Sequence, residues 1–164
     1  MKKLLFTILV VRAAVPLVKA ENVALSTPTN TIVLDITKGK EPRLVYYGQK
    51  LSSAELSSLP APTTVNYSRL EVYPAYGATH VQSEVAFAMR HADGNLSTQL
   101  LVEDYGVKAV SDNAPNGKSR SGNLLTVRLK DPLYPGIVNL YYLACYYVDM
   151  IECWSDVTNL EKQT

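Results

Sequence analysis

A chain of 164 residues with a formal net charge of +1 is the size of one domain and too nearly neutral to hold nucleic acid by charge. The charge is unevenly spread: residues 1–20 carry Lys2, Lys3, Arg12 and Lys19 and no acid, leaving 12 basic against 15 acidic residues, net −3, in the remainder. The apolar run Leu4–Val11 is far shorter than the ~20 residues a spanning helix needs, so no membrane span is expected.

The opening reads instead as an export signal. Lys2 and Lys3 form a positive start, the short apolar run follows, and Val18-Lys19-Ala20 fits a small-residue cleavage site. The expectation is an exported protein, periplasmic or extracellular, with residues 1–20 removed and a domain over 21–164. Arg12 interrupts the apolar stretch.

The rest alternates with a period of two. Ile32, Leu34 and Ile36 interleave with Thr31, Val33, Asp35 and Thr37; Lys38-Gly39-Lys40 reads as a turn, and Arg43 to Tyr47 as the next strand. Ser52-Ser53-Ala54-Glu55 fits a capping box for one or two turns of helix that Pro60 stops. Residues 60–69 form a polar loop. Tyr73-Pro74-Ala75-Tyr76-Gly77 reads as a rigid corner, since Pro74 fixes its φ and Gly77 permits a positive one. Val85, Phe87 and Met89 alternate with polar or small neighbours, Asp93-Gly94 signals a hairpin, and Leu96 to Val102 returns. Residues 112–122 read as a second polar loop and Leu125 to Lys130 as a strand. Ile137–Ala144 and Asp149–Thr158 form a last hairpin, with Ile151, Cys153 and Val157 on one face and Met150, Glu152, Trp154 and Asp156 on the other. The sum is an all-β chain, an antiparallel β-sandwich with at most one short helix.

Motifs for chemistry are few. A hairpin turning near residue 147 does not bring Cys145 and Cys153 opposite each other, and there is no C-x-x-C pair. His80 and His91 are the only histidines and have no obvious third ligand, so no metal and no cofactor is expected. Glu71, Glu84, Asp93, Glu103, Asp104, Asp149 and Glu152 sit mostly at turns or on polar faces, where solvated charges belong. No G-x-S-x-G, H-E-x-x-H or phosphate loop occurs. Asn66-Tyr67-Ser68 and Asn95-Leu96-Ser97 match the glycosylation sequon, which matters only in a eukaryotic secretory route. Tyrosine offers a flat apolar face with a hydroxyl at its tip, so Tyr73 and Tyr76 of the corner are candidates for a ligand wall, with Trp154 as a third. No catalytic residue is assigned.

LVYYGQKL (44–51), YPAYG (73–77), HADGN (91–95), VNLYY (138–142) and VDMIECWSDVTNLEK (148–162) together resemble the amino-terminal domain of glycoside hydrolase family 36, the α-galactosidases. The resemblance spans roughly residues 22–162, and YPAYG and the final hairpin are its most specific parts. It implies a β-supersandwich that precedes a (β/α)₈ barrel carrying two catalytic aspartates, and retaining hydrolysis of terminal α-galactosides. It places the YPAYG corner at the sandwich edge near the active-site side. The sequence in hand ends at Thr164 without the barrel's motifs, so the expectation is a supersandwich-like, incomplete domain with no turnover of its own. Its expected partners are a galactoside, the catalytic barrel, or a second copy. Two other readings stay open: a free-standing carbohydrate-binding module with Tyr73, Tyr76 and Trp154 on one face, and a structural β-protein that pairs through an open sheet edge.

Overall fold

The computed structural model describes residues 21–59, 71–77, 85–113 and 119–162. The expected leader and its cleavage site, the loop at 60–69, His80, Glu84 and the first sequon lie outside the described residues, as does part of the polar loop expected at 112–122. Two antiparallel sheets make up the described chain. The first joins β1 (Asn22–Ser26), β2 (Asn30–Asp35) and β3 (Arg43–Gln49) in that order. The second joins β4 (Leu101–Asn113), β5 (Ser119–Lys130), β6 (Gly136–Cys145) and β7 (Ile151–Asn159), again in chain order. The one helix among the described residues is α1 (Ser53–Ser58). The sandwich expectation is met.

Period-two patterning explains how the sheets close on one another. Leu34 and Ile36 from the first sheet meet Leu125, Val127 and Leu129 of β5 and Val138 and Leu140 of β6 in one buried cluster. Each such aliphatic side chain contributes roughly 1.5–3 kcal/mol of transfer free energy. β2 departs from the simple alternation because Thr31, Val33 and Asp35 are buried too. Their polar groups are satisfied locally: Thr37 donates its backbone N–H to Asp35 Oδ1 at 3.0 Å, and Leu51 N–H donates to Thr31 Oγ1 at 3.2 Å. A central strand covered on both sides tolerates polar residues when each finds such a partner.

The capping box forms as expected. Ser52 Oγ accepts from Glu55 N–H, Glu55 Oε2 accepts from Ser52 N–H at 2.7 Å, and these contacts hold Glu55 below the usual carboxylate range. The final hairpin also forms, and its apolar tip is pinned from outside. Asp149 Oδ1 accepts from Thr29 N–H at 2.9 Å and from the Thr27 hydroxyl at 3.1 Å, tying the β6–β7 turn to the β1–β2 turn. The register pairs Cys153 with Tyr142 and Cys145 with Gly122, so the two cysteines do not face each other.

Two expectations are corrected. The strand at 85–89 and the hairpin through Asp93-Gly94 do not form: residues 85–100 run outside both sheets. Backbone groups at residues 86, 87 and 98 bond the YPAYG corner. Ala86 N–H and Phe87 N–H both donate to Pro74 O, Tyr76 N–H donates to Phe87 O, and Thr98 N–H donates to Tyr76 O. Asp93-Gly94 is a tight turn within this segment, closed by His91 N–H to Asn95 O at 2.8 Å, with Gly94 at φ +86°. Of the polar loop expected at 112–122, the described residues are strand: β4 and β5 continue pairing out to Asn113 opposite Ser119.

Candidate functional site

Three places carry the residues singled out in the sequence. The first is the corner. Gly77 lies at φ +86°, and a Cβ there would sit 2.5 Å from Ser97 Cα, so only glycine fits. Ala75 is buried and bridges Phe87. Tyr73 packs its ring against the core, lies 6.3 Å from the Phe87 ring centroid, and brings its hydroxyl to 3.1 Å from Ser155 Oγ on β7. Tyr76 is 51 % exposed. The corner is rigid, as expected, because it is hydrogen-bonded on both sides by the segment that follows it.

The second place surrounds HADGN. The His91 side chain is fully buried; Nδ1 donates to Glu161 Oε1 at 2.5 Å, and Nε2 lies 2.9 Å from Thr98 Oγ1. The ring stacks on Tyr134 with centroids 3.5 Å apart. Tyr134 in turn donates its hydroxyl to Asp93 Oδ2 at 2.9 Å and accepts from Asn95 Nδ2 at 2.7 Å. His91 and the Ala92 N–H hold Glu161 below the usual carboxylate range. This cluster locks the end of β7 onto the 91–98 segment.

The third place is the outer face of the second sheet. Register puts Thr126, Tyr141 and Trp154 in one row across β5, β6 and β7. The Tyr141 and Trp154 rings stack at 5.0 Å and 10°, and Trp154 is 44 % exposed. In the adjoining row, Asp156 accepts from the Tyr141 hydroxyl at 2.7 Å and from Asn139 Nδ2 at 2.8 Å. Those donors keep Asp156 below the usual carboxylate range. On the other side, Trp154 walls an open hollow of about 460 Å³ with Leu124, Leu143 and Lys108.

The three expected ligand-wall residues therefore do not share a platform. Tyr73 reaches Ser155 on the inner side of β7, and successive residues of a strand face opposite ways, so Trp154 stands on the other side. Sequence reading passed over Tyr141, Asn139 and Asp156 as partners of Trp154. A signal was available: a hairpin turning near residue 147 sets Tyr141 opposite Trp154.

The carboxylates serve the scaffold. Asp131 accepts from the N–H groups of Gln99, Leu133 and Tyr134, Glu103 accepts from Arg128 Nε at 2.7 Å, and Asp149 and Glu161 tie turns as described. Glu71 is the described carboxylate pushed up, to about 7, first by burial, then by repulsion from Glu41 and against the attraction of Arg43. Glu41 itself lies 3.4 Å from Arg43 Nη2 and accepts from Gln99 Nε2 at 3.1 Å, so this cluster is an internal ion group. Among the described residues no group of three or more histidine, cysteine or acidic side chains is placed to hold a metal ion.

The family model for the glycosyl hydrolase family 36 N-terminal domain matches residues 40–164. The chain belongs to this family. Three solved relatives share the fold. A family 36 α-galactosidase of Geobacillus stearothermophilus, solved with 1-deoxygalactonojirimycin, superposes with a TM-score of 0.66 at 19 % identity over 85 % of this chain and 22 % of its own. The α-galactosidase of Lactobacillus brevis gives 0.64 at 18 % identity over 87 % of this chain and 22 % of its own. A second α-galactosidase of Geobacillus stearothermophilus gives 0.62 at 18 % identity over 90 % and 22 %. No curated protein matches the chain. The chain thus spans about a fifth of the length of the enzymes it superposes on.

Proposed function

We propose that the chain is the non-catalytic leading domain of an exported α-galactosidase-type enzyme that removes terminal α-galactosides in carbohydrate catabolism. The family match over residues 40–164, on chains of which this domain covers 22 %, is the observation that supports the reading. In this reading the domain orients a catalytic barrel. Tyr76, exposed on the rigid corner, is the side chain offered to the barrel or its galactoside, while Tyr73 braces the corner against β7. Export follows cleavage after Ala20, a feature supported by the leader pattern alone.

Two measurements test it. Reading the coding frame past codon 164 is expected to find a barrel with two catalytic aspartates; a stop codon with no such frame sinks the leading-domain reading. The purified chain, assayed on an aryl α-galactoside, is expected to show no turnover above buffer, and saturable hydrolysis would sink the non-catalytic assignment.

A further inference from the structure

We infer that the outer face of the second sheet binds a galactopyranoside on the exposed indole of Trp154, which Tyr141 backs, beside Asp156. The site is separate from the corner.

The argument begins with exposure. Trp154, 44 % exposed on the open side of the sheet, has part of one ring face covered by the parallel Tyr141 ring and leaves the rest of its indole in water. Leaving it there has a cost that a ligand's apolar face would relieve. The surroundings tell which kind of ligand. A protein-docking patch is depleted of charge at its centre. Here the row on one side of the rings carries Arg128, Asn139 and Asp156, and the row on the other carries Lys108, Leu124, Leu143 and Glu152. An exposed indole with directional hydrogen-bonding groups beside it suits a molecule that is itself apolar on one face and hydroxylated at its rim. A pyranose is such a molecule. In the galacto configuration the axial 4-hydroxyl leaves C3–H, C4–H and C5–H together on one face, which is the face that lies on an aromatic ring.

Preorganisation adds to this. Asp156 is fixed by two donors, the Tyr141 hydroxyl and the Asn139 amide, each taking one carboxylate oxygen. A carboxylate has about four acceptor positions, so two remain for sugar hydroxyls. The group that would receive the ligand is therefore already oriented, and little entropy is lost on binding. The adjoining open hollow of about 460 Å³, walled by Trp154, Leu124, Leu143 and Lys108, falls in the ~300–1,000 Å³ range of small-molecule sites.

The choice of galactose over another pyranose rests on the proposed function; the existence of the site does not. Failure of the site leaves the leading-domain reading intact, because that reading is decided by the coding frame.

Trp154 is the only tryptophan in the sequence, so its emission reports on this site alone. The experiment is a titration of the purified chain with methyl α-galactopyranoside, followed by tryptophan fluorescence. A saturable change is expected, with methyl α-glucopyranoside several-fold weaker. Asp156→Asn and Tyr141→Ala are expected to weaken binding about tenfold or more. Tyr141→Phe keeps the stack and removes the hydroxyl that holds Asp156, so a several-fold loss is expected with the fold intact, as read by circular dichroism. Trp154→Ala, followed by calorimetry, is expected to abolish binding. No saturable change, or an equal change with glycerol, overturns the proposal. An emission change that follows protein concentration without sugar also overturns it and assigns the face to a second copy.

Discussion

Two ring pairs in this domain are built from the same parts and do different work. His91 stacks on Tyr134 at 12°, and Tyr141 stacks on Trp154 at 10°. In each, a tyrosine hydroxyl donates to an aspartate, and an asparagine amide completes the group: Tyr134 with Asp93 and Asn95, Tyr141 with Asp156 and Asn139. The difference is burial. His91 is sealed in and its ring nitrogens are both engaged, so the first pair is a joint between β7 and the 91–98 segment. The second pair faces water, so its order adds little to the fold and is available to a ligand. Stacking geometry alone does not separate structure from recognition; the fate of the outer ring face does.

The largest effect that would test this contrast is at the buried pair. His91→Ala removes a buried ring and strands Glu161 and Thr98, and the chain is expected to lose about 2–4 kcal/mol of stability in a urea titration. A loss no larger than that of a surface substitution would erase the distinction. Gly77→Ala sharpens it from the other side of the same segment. The new Cβ would meet the Ser97 backbone at a φ of +86°, and a loss of roughly 1–3 kcal/mol is expected, read as a lower melting temperature.

Glu71 provides a third scale, a carboxylate whose buried Oε1 has no hydrogen-bond partner among the described residues, unlike Asp93 and Asp156. Its pKa is raised to about 7 from 4.5, chiefly by burial. A raised acid binds more protons folded than unfolded, so its contribution is intact below about pH 4.5 and is lost as pH rises toward 7. Glu71→Gln is therefore expected to stabilise the chain at pH 8 by about 1–2 kcal/mol, after discounting for its partial exposure, and not at pH 4. A pH-independent difference between variant and parent melting temperatures would remove the electrostatic account. Asp93, Asp156 and Glu161, held low by their donors, act in the opposite direction and lose their contribution as the solution is acidified.

The smallest effect is expected at the exposed pair. Trp154→Ala should cost less than about 1 kcal/mol in the same urea titration. A cost equal to that of His91→Ala would make the outer stack a structural joint and remove the reason to read it as a binding face.

Much of the scaffold was legible in the chain alone, for local reasons. Leu125, Val127 and Leu129 alternate with Thr126, Arg128 and Lys130, and alternation is a property of the extended backbone whatever it packs against. The capping box at Ser52–Glu55 closes within four residues. Gly77 permits a positive φ three residues after a φ-fixing Pro74, so the corner was readable too. Even the Cys145–Cys153 separation followed from where the last hairpin turns.

What lay beyond the sequence was decided by partners distant in the chain. Val85, Phe87 and Met89 alternate like a strand, yet their backbone groups bond Pro74 and Tyr76, because the corner presents carbonyl and N–H groups that the local pattern does not reveal. His91 looks like an idle histidine until Glu161, 70 residues later, reaches its ring. Trp154 could be placed on a face of β7, and the hairpin register sets Tyr141 opposite it, but that Tyr73 falls on the other side depends on how two sheets and a corner assemble. Backbone propensity acts over a few residues; burial and hydrogen-bond pairing act across the whole domain. The strands were therefore written in the sequence, and the site was written in the packing.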